Sequence, residues 1–279
     1  METNKEEKKG GIVLPTAPRK ATAVNPRNLL IYGKEKSGKT TACSQLPNHL
    51  LIDVEDGAEF VTANVMLPPS AYGPVSRFKW LKELAKTIRE AGYPYDYVII
   101  DTISQLDIDA EAVGTFSYMH SVAGKNFNRV TDDQGQIVID PNTKKSIMLP
   151  PSDPNYQSVL SLPNGFGYQY SRTAILDIFE ALKNLGKICT IFVCHVADKM
   201  IAEKNKEQVM IKDLALVGKT RDILPRLVDG TANVWNEDGT FMISFKGNDQ
   251  QLGGVRATHL TGFSGPLNWG KIFISPDKK

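Results

Sequence analysis

The residues Gly33-Lys34-Glu35-Lys36-Ser37-Gly38-Lys39-Thr40 set glycine, lysine and a hydroxyl at the spacing G-x-x-x-x-G-K-[ST], with Thr41 directly behind. These types at this spacing suit a triphosphate. Glycines let backbone N–H groups curl around phosphate oxygens without Cβ clashes. A helix opening behind Gly38 turns its positive end on the same anion. Lys39 is placed to reach the β- and γ-phosphates, and the Thr40 hydroxyl to ligate Mg²⁺. Residues 33–41 are therefore the expected nucleotide-binding segment, with ATP and Mg²⁺ as its ligands.

Hydrolysis needs two further groups, an acid at the metal and a base for water. Two apolar runs end in acid. Tyr97-Val98-Ile99-Ile100 leads into Asp101, the expected second metal-side group beside Thr40. His49-Leu50-Leu51-Ile52-Asp53-Val54-Glu55 places Glu55 where it can orient the attacking water. Asp53 and Asp56 compete for that role, and strand alternation puts Asp53 and Glu55 on one face, so the pattern alone does not separate them. A further run, Ile188 to Cys194, ends in His195. Ligands bind at the C-terminal edge of parallel sheets, and an imidazole there can hydrogen-bond the γ-phosphate and report its loss. Lys39, Glu55 and His195 are thus the expected catalytic group.

The elements that must hold these residues follow from periodicity. Asn28–Tyr32 reads as a buried strand running into the glycine segment, with a short helix from Thr41 to Leu46 that Pro47 stops. Lys79–Ala91 and Ser171–Leu185 have apolar residues at helical spacing. Uniformly apolar strands alternating with helices predict an α/β fold, a mainly parallel sheet covered on both faces. From about Gly114 to Gly167 the chain reads as a long irregular insertion, with a hairpin of Gln136–Ile139 against Ser146–Leu149. Met200–Glu203 and Val209–Leu214 predict another hairpin, closed by Lys204-Asn205-Lys206-Glu207. Arg221–Val228 predicts a short helix. Asn233–Trp235 and Phe241–Phe245 flank Asn236-Glu237-Asp238-Gly239, a hairpin turn. Lys271–Ile274 is a last strand candidate. The expected organisation is a tail and linker over 1–27, a core over 28–230 and an antiparallel C-terminal extension over 231–279. Within the linker, Ile12-Val13-Leu14 is one apolar patch.

Composition narrows the function classes. The chain has 279 residues and a net charge of +2, so any nucleic-acid contact must come from a local face or from repetition in an oligomer. Three cysteines, Cys43, Cys189 and Cys194, have no metal-type spacing and read as buried thiols of a reducing cytoplasm. No apolar run reaches membrane-span length, and the Lys/Glu-rich start is not a secretory signal. No Asn-Lys-x-Asp base-reading motif is present, which argues against guanine specificity.

The order GKEKSGKTT, LIDVEDG, YVIIDT and VCHV resembles the RecA-like ATPase core, and most closely the short RecA-type ATPases of bacteriophages that belong with single-strand annealing recombinases. The resemblance spans about Asn28 to Val228. It implies a RecA-like P-loop fold, DNA-stimulated ATP hydrolysis, Glu55 rather than Asp53 as catalytic acid, Thr102 beside Asp101, and His195 as the γ-phosphate switch. It further implies a homo-oligomeric ring or filament with nucleotide at the interface, completed by a basic residue of the neighbour; Lys199, Lys219, Arg221 and Arg256 are candidates. Single-stranded DNA is the implied partner, with a single-strand DNA-binding protein as a further candidate. The contacts would come from the insertion (Lys125, Arg129, Lys144, Lys145, with Phe127, Tyr156, Phe166 and Tyr168) and from the Met200–Leu214 hairpin. Basic groups interleaved with aromatics suit a single strand. Two other readings stay open: an NTP-gated assembly or loading factor with little turnover, and a P-loop kinase, which the absence of an Arg-rich lid disfavours.

Overall fold

The computed structural model describes residues 16–202, 208–248 and 251–275. Asn28–Gly33 (β1) leads into the short helix Lys39–Cys43 (α1), and His49–Asp53 (β2) follows. Val65–Met66 (β3) precedes Pro74–Glu90 (α2), Tyr97–Asp101 (β4) and Ile103–Met119 (α3). Gly167–Leu182 (α4) leads to Cys189–Ala202 (β5) and Gln208–Leu214 (β6), and then to Thr220–Leu227 (α5). The chain closes with Gly230–Glu237 (β7), Thr240–Ser244 (β8), Gly254–Val255 (β9), Ser264–Pro266 (β10) and Trp269–Ile272 (α6).

The strands form one sheet in the order β10-β8-β7-β1-β5-β4-β2-β3. From β7 to β3 every pair is parallel, whereas β8 and β10 continue the sheet antiparallel. This is the mainly parallel, helix-flanked α/β architecture that the apolar strand runs predict, with an antiparallel extension. The central strands are apolar throughout because both faces are covered. On one face α2, α3 and α4 pack Leu81, Leu106, Ile175 and Phe179 onto Leu30, Ile100 and Phe192. On the other, α1 and the C-terminal segments pack Cys43, Leu46, Leu260 and Ile272 onto Ile31, Ile99 and Val193. Leu81 is fully buried, and its truncation to alanine would cost about 2–5 kcal/mol. All three cysteines are free and buried.

Several boundaries differ from the sequence expectation. α2 starts at Pro74 rather than Lys79, because proline at the first helical position presets φ. The supposedly irregular tract after Gly114 begins inside α3, which the apolar pattern hid: Ser104, Asp107 and Asp109 are buried on it among Ile103, Leu106 and Ala110. The hairpin over Pro141-Asn142 is present as an Ile139–Ser146 bridge, but a third segment joins it. Val130 N donates to Ile147 O, Ile147 N to Val138 O, and Val138 N to Val130 O, so three short segments close on one another. Lys271–Ile274 is not a strand. The Asn268 side chain accepts from Lys271 N and caps α6 instead, while Trp269 Nε1 ties that helix to Ala42 O. Ile12-Val13-Leu14 and the Lys204–Glu207 closure lie outside the described residues.

Candidate functional site

The phosphate-loop geometry is imposed by close neighbours. A Cβ on Gly33 would lie 2.2 Å from the Val234 carbonyl oxygen of β7, so β1 can end there only in glycine. Gly38 has φ +83°, and a Cβ on it would lie 2.3 Å from the Phe241 ring. From Gly38 the chain turns directly into α1, with Ala42 N donating to Gly38 O at 2.8 Å. The helix therefore starts at Lys39, two residues before the expected Thr41. Lys34, Glu35, Lys36 and Thr41 are exposed, while Lys39 is buried. Lys39 Nζ donates to Gly33 O at 3.0 Å and Lys34 O at 2.7 Å, and lies 3.5 Å from His195 Nδ1. Burial lowers its pKa, with Asp101 and Glu55 opposing.

Parallel register brings the other groups to the same edge. Gly33 pairs with His195, Asp53 with Asp101, and Asp101 with Val193. The Thr40 hydroxyl donates to the Asp101 carboxylate. Burial pushes the Asp101 pKa up to about 6, Glu55 and Asp53 add to the rise, and the Thr40 hydrogen bond opposes it.

The structure separates the acids that strand alternation left equivalent. Asp53 folds back to accept from Glu55 N at 3.1 Å and Ala58 N at 2.8 Å, holding the following loop. Asp56 is exposed at a positive φ. Glu55 alone faces the cluster. It accepts from the Thr102 hydroxyl, and its two oxygens lie 3.1 and 3.2 Å from His195 Nε2. Burial raises the Glu55 pKa most, but the hydrogen bonds of His195 and Thr102 and the charge of Lys39 together bring it below the usual carboxylate range. Lys39, Thr40, Asp101, Glu55 and His195 thus form one contiguous group.

Ser104 completes this group and carried no sequence signal of its own. Its hydroxyl accepts from His195 N at 2.9 Å and contacts Cys194 Sγ at 3.3 Å. A signal for its helix was present: Thr102 accepts from Gln105 N, the threonine-x-x-glutamine spacing of a helix start.

The residues fit a magnesium-bound triphosphate. Thr40 and Asp101 offer hard oxygen donors at one point. Mg²⁺ is held by one or two carboxylates together with substrate phosphates rather than by a protein cage. Accordingly, among the described residues no cluster of three or more His, Cys, Asp or Glu could hold a metal alone.

The remaining basic candidates divide. Arg221 is engaged within the chain by Asp213 at 3.3 Å, and Arg256 by Asp229 at 3.1 Å. Lys199 lies on β5 opposite Ile211. Lys219 is exposed at the start of α5, where it lines a narrow crevice with Tyr168, Ser171 and Arg172 at the start of α4. Phe166 and Tyr168 are 47% and 44% exposed. Phe127 packs edge-on against Tyr118 and Tyr156 is half-buried, while Lys125, Lys144 and Lys145 are exposed and Arg129 is half-buried. Among the described residues no helix is long and apolar enough to cross a membrane.

Residues 25–113, which carry the glycine loop, Glu55 and Asp101, match the profile of an AAA domain. The match covers about a third of the chain and agrees with the glycine loop and the acids in pointing to nucleotide binding. A solved structure similar to the chain is a prototypical ATPase from the type III secretion system of pathogenic bacteria, with 11% identity, a TM-score of 0.43, and coverage of 92% of this chain and 69% of that one. No curated protein matches the chain.

Proposed function

We propose that the protein is a RecA-like, Mg²⁺-dependent ATPase that acts on single-stranded DNA in phage recombination or annealing. In this reading it works as a homo-oligomeric ring or filament with nucleotide between subunits. The observation that carries the catalytic part is the placement of the Glu55 carboxylate beside Lys39, Thr40 and Asp101, held by Thr102 and His195. Hydrogen bonding keeps Glu55 ionised, so it can accept a proton from an attacking water. Lys39 brings positive charge to the loop carbonyls that flank the terminal phosphate. Thr40 and Asp101 would hold Mg²⁺, which would supply charge neutralisation on the phosphate oxygens. His195 touches both Lys39 and Glu55, so a γ-phosphate arriving between them would displace it and free Glu55 to orient water.

Support for the DNA reading comes from the crevice where α4 and α5 begin. There Arg172 and Lys219 stand beside Tyr168, with Phe166 exposed nearby, charge for a phosphate and rings for a base. Lys219 has no acid at ion-pair distance among the described residues, which favours it over Arg221 and Arg256 as a group free to act on a neighbour.

The test is ATP turnover with and without single-stranded DNA, alongside mass in solution. Turnover stimulated by DNA, and abolished together with ATP binding in Lys39→Ala, is expected. Absence of DNA binding in the presence of ATP analogues sinks the recombination part. One observation favours a second reading, an NTP-gated assembly factor: Glu55 is already occupied by two partners. Turnover in Glu55→Gln equal to that of the unaltered protein would decide for it.

A further inference from the structure

A cavity of about 410 Å³ lies against the other flank of the phosphate loop. It is walled by Lys36 and Ser37 of the loop, Lys212 of β6, Asn233 and Trp235 of β7, and Gln251. Strand alternation fixes which flank this is. Ala232 and Val234 point into the core on the α1 face, so Asn233 and Trp235 point away from it. Val196, also in the wall, packs with the α2–α4 core. Lys34, whose carbonyl accepts from Lys39, also lines the cavity, so it adjoins the phosphate loop from the α2–α4 face.

One polar atom in this wall is buried and unsatisfied, Ser37 Oγ. Asn233 makes no side-chain hydrogen bond among the described residues, and its amide atoms are not enclosed. Buried polar atoms left unpaired are costly and are retained where something completes them. Among the described residues no carboxylate lines the cavity, and neither Lys36 nor Lys212 has an acid at ion-pair distance, while Lys34, the third lysine of the wall, is engaged. An indole at one wall adds a stacking surface.

We propose that this cavity is a second binding pocket that takes one nucleoside monophosphate unit. The phosphate lies between Lys36 and Lys212, the base stacks on Trp235, and Asn233 and Ser37 complete its hydrogen bonds. The unit comes either from a free nucleotide or from one residue of a single strand; both present the same chemistry. The pocket does not require a triphosphate at the loop.

The test follows Trp235 fluorescence in the full chain during titration with thymidine 5′-monophosphate and, separately, with a short oligothymidylate. Quenching is expected with at least one probe, absent in Trp235→Phe and about tenfold or more weaker in the exposed-site variant Lys212→Glu. Quenching by the oligomer alone assigns the unit to a strand, and quenching by the monophosphate assigns it to a free nucleotide. It is expected to persist in Lys39→Ala. Loss in Lys39→Ala would place the ligand in the triphosphate site and overturn a second pocket, as would no quenching by either probe or equal affinity in Lys212→Glu. ATP binding measured in parallel keeps the outcomes distinct, since failure there sinks the ATPase reading and leaves the pocket standing.

Discussion

The two flanks of the phosphate loop are built on opposite terms. Around Glu55 the polar side chains answer one another: Thr40 with Asp101, Thr102 and His195 with Glu55, and Ser104 with the His195 backbone. On the other flank the buried Ser37 hydroxyl and the Asn233 amide have no hydrogen-bond partner among the described residues. A closed polar network holds its members in place before substrate arrives, and a ligand must compete with it. An open set costs stability until a ligand closes it. One loop thus sits between a site that is organised in advance and a site that is organised only by occupancy.

The comparison breaks first at Glu55. Glu55→Gln keeps the shape and both hydrogen bonds but cannot take a proton, so turnover should fall by about 10²–10⁴ with ATP binding retained. Unchanged turnover would mean that the closed network is structural. The next largest effect concerns Asp107, buried on the helix-side face, where it accepts from Val217 N. Burial raises its pKa to about 6 from an ordinary 3.8, against the Val217 hydrogen bond and the charge of Arg221. The folded state therefore holds this proton more tightly than the unfolded chain. Stability from this group is greatest below about pH 4 and is lost as pH rises to about 6, a difference of up to about 3 kcal/mol. Asp107→Asn keeps an acceptor for Val217 and should raise the melting temperature at neutral pH but not near pH 4. A variant melting below the unaltered protein at neutral pH would show that the charge is needed. The smallest effect sharpens the contrast: Ser37→Ala removes the unanswered buried hydroxyl and should stabilise the protein by about 1 kcal/mol in thermal melts. A loss of stability would show that Ser37 is already satisfied.

Much of the frame was legible in the chain. The runs ending in Gly33, Asp53, Asp101 and His195 are apolar on both faces, and only a covered parallel sheet needs that. What escaped had local reasons. α3 buries Ser104, Asp107 and Asp109, and polar residues inside a core blur helical periodicity. Lys-Ile-Phe-Ile at the C-terminal end alternates like a strand, but a cap at Asn268 and the anchoring of Trp269 on α1 override it. Asp53 and Glu55 share a strand face, and only the turn after Asp53, which spends that carboxylate on two backbone amides, distinguishes them. The cavity behind the loop could not be read at all, because Asn233 and Ser37 lie far apart in sequence.

β5 is 14 residues long. Its first half lies between β1 and β4, His195 stands where it leaves them, and its second half pairs with β6 through seven residue pairs, from Val196–Leu214 to Ala202–Gln208. Ala215 N clamps the His195 carbonyl at 2.9 Å. At roughly 3.4 Å per residue the free half is a rod of about 20 Å. Whatever displaces the imidazole thus acts at the root of a two-stranded ribbon that leaves the sheet there.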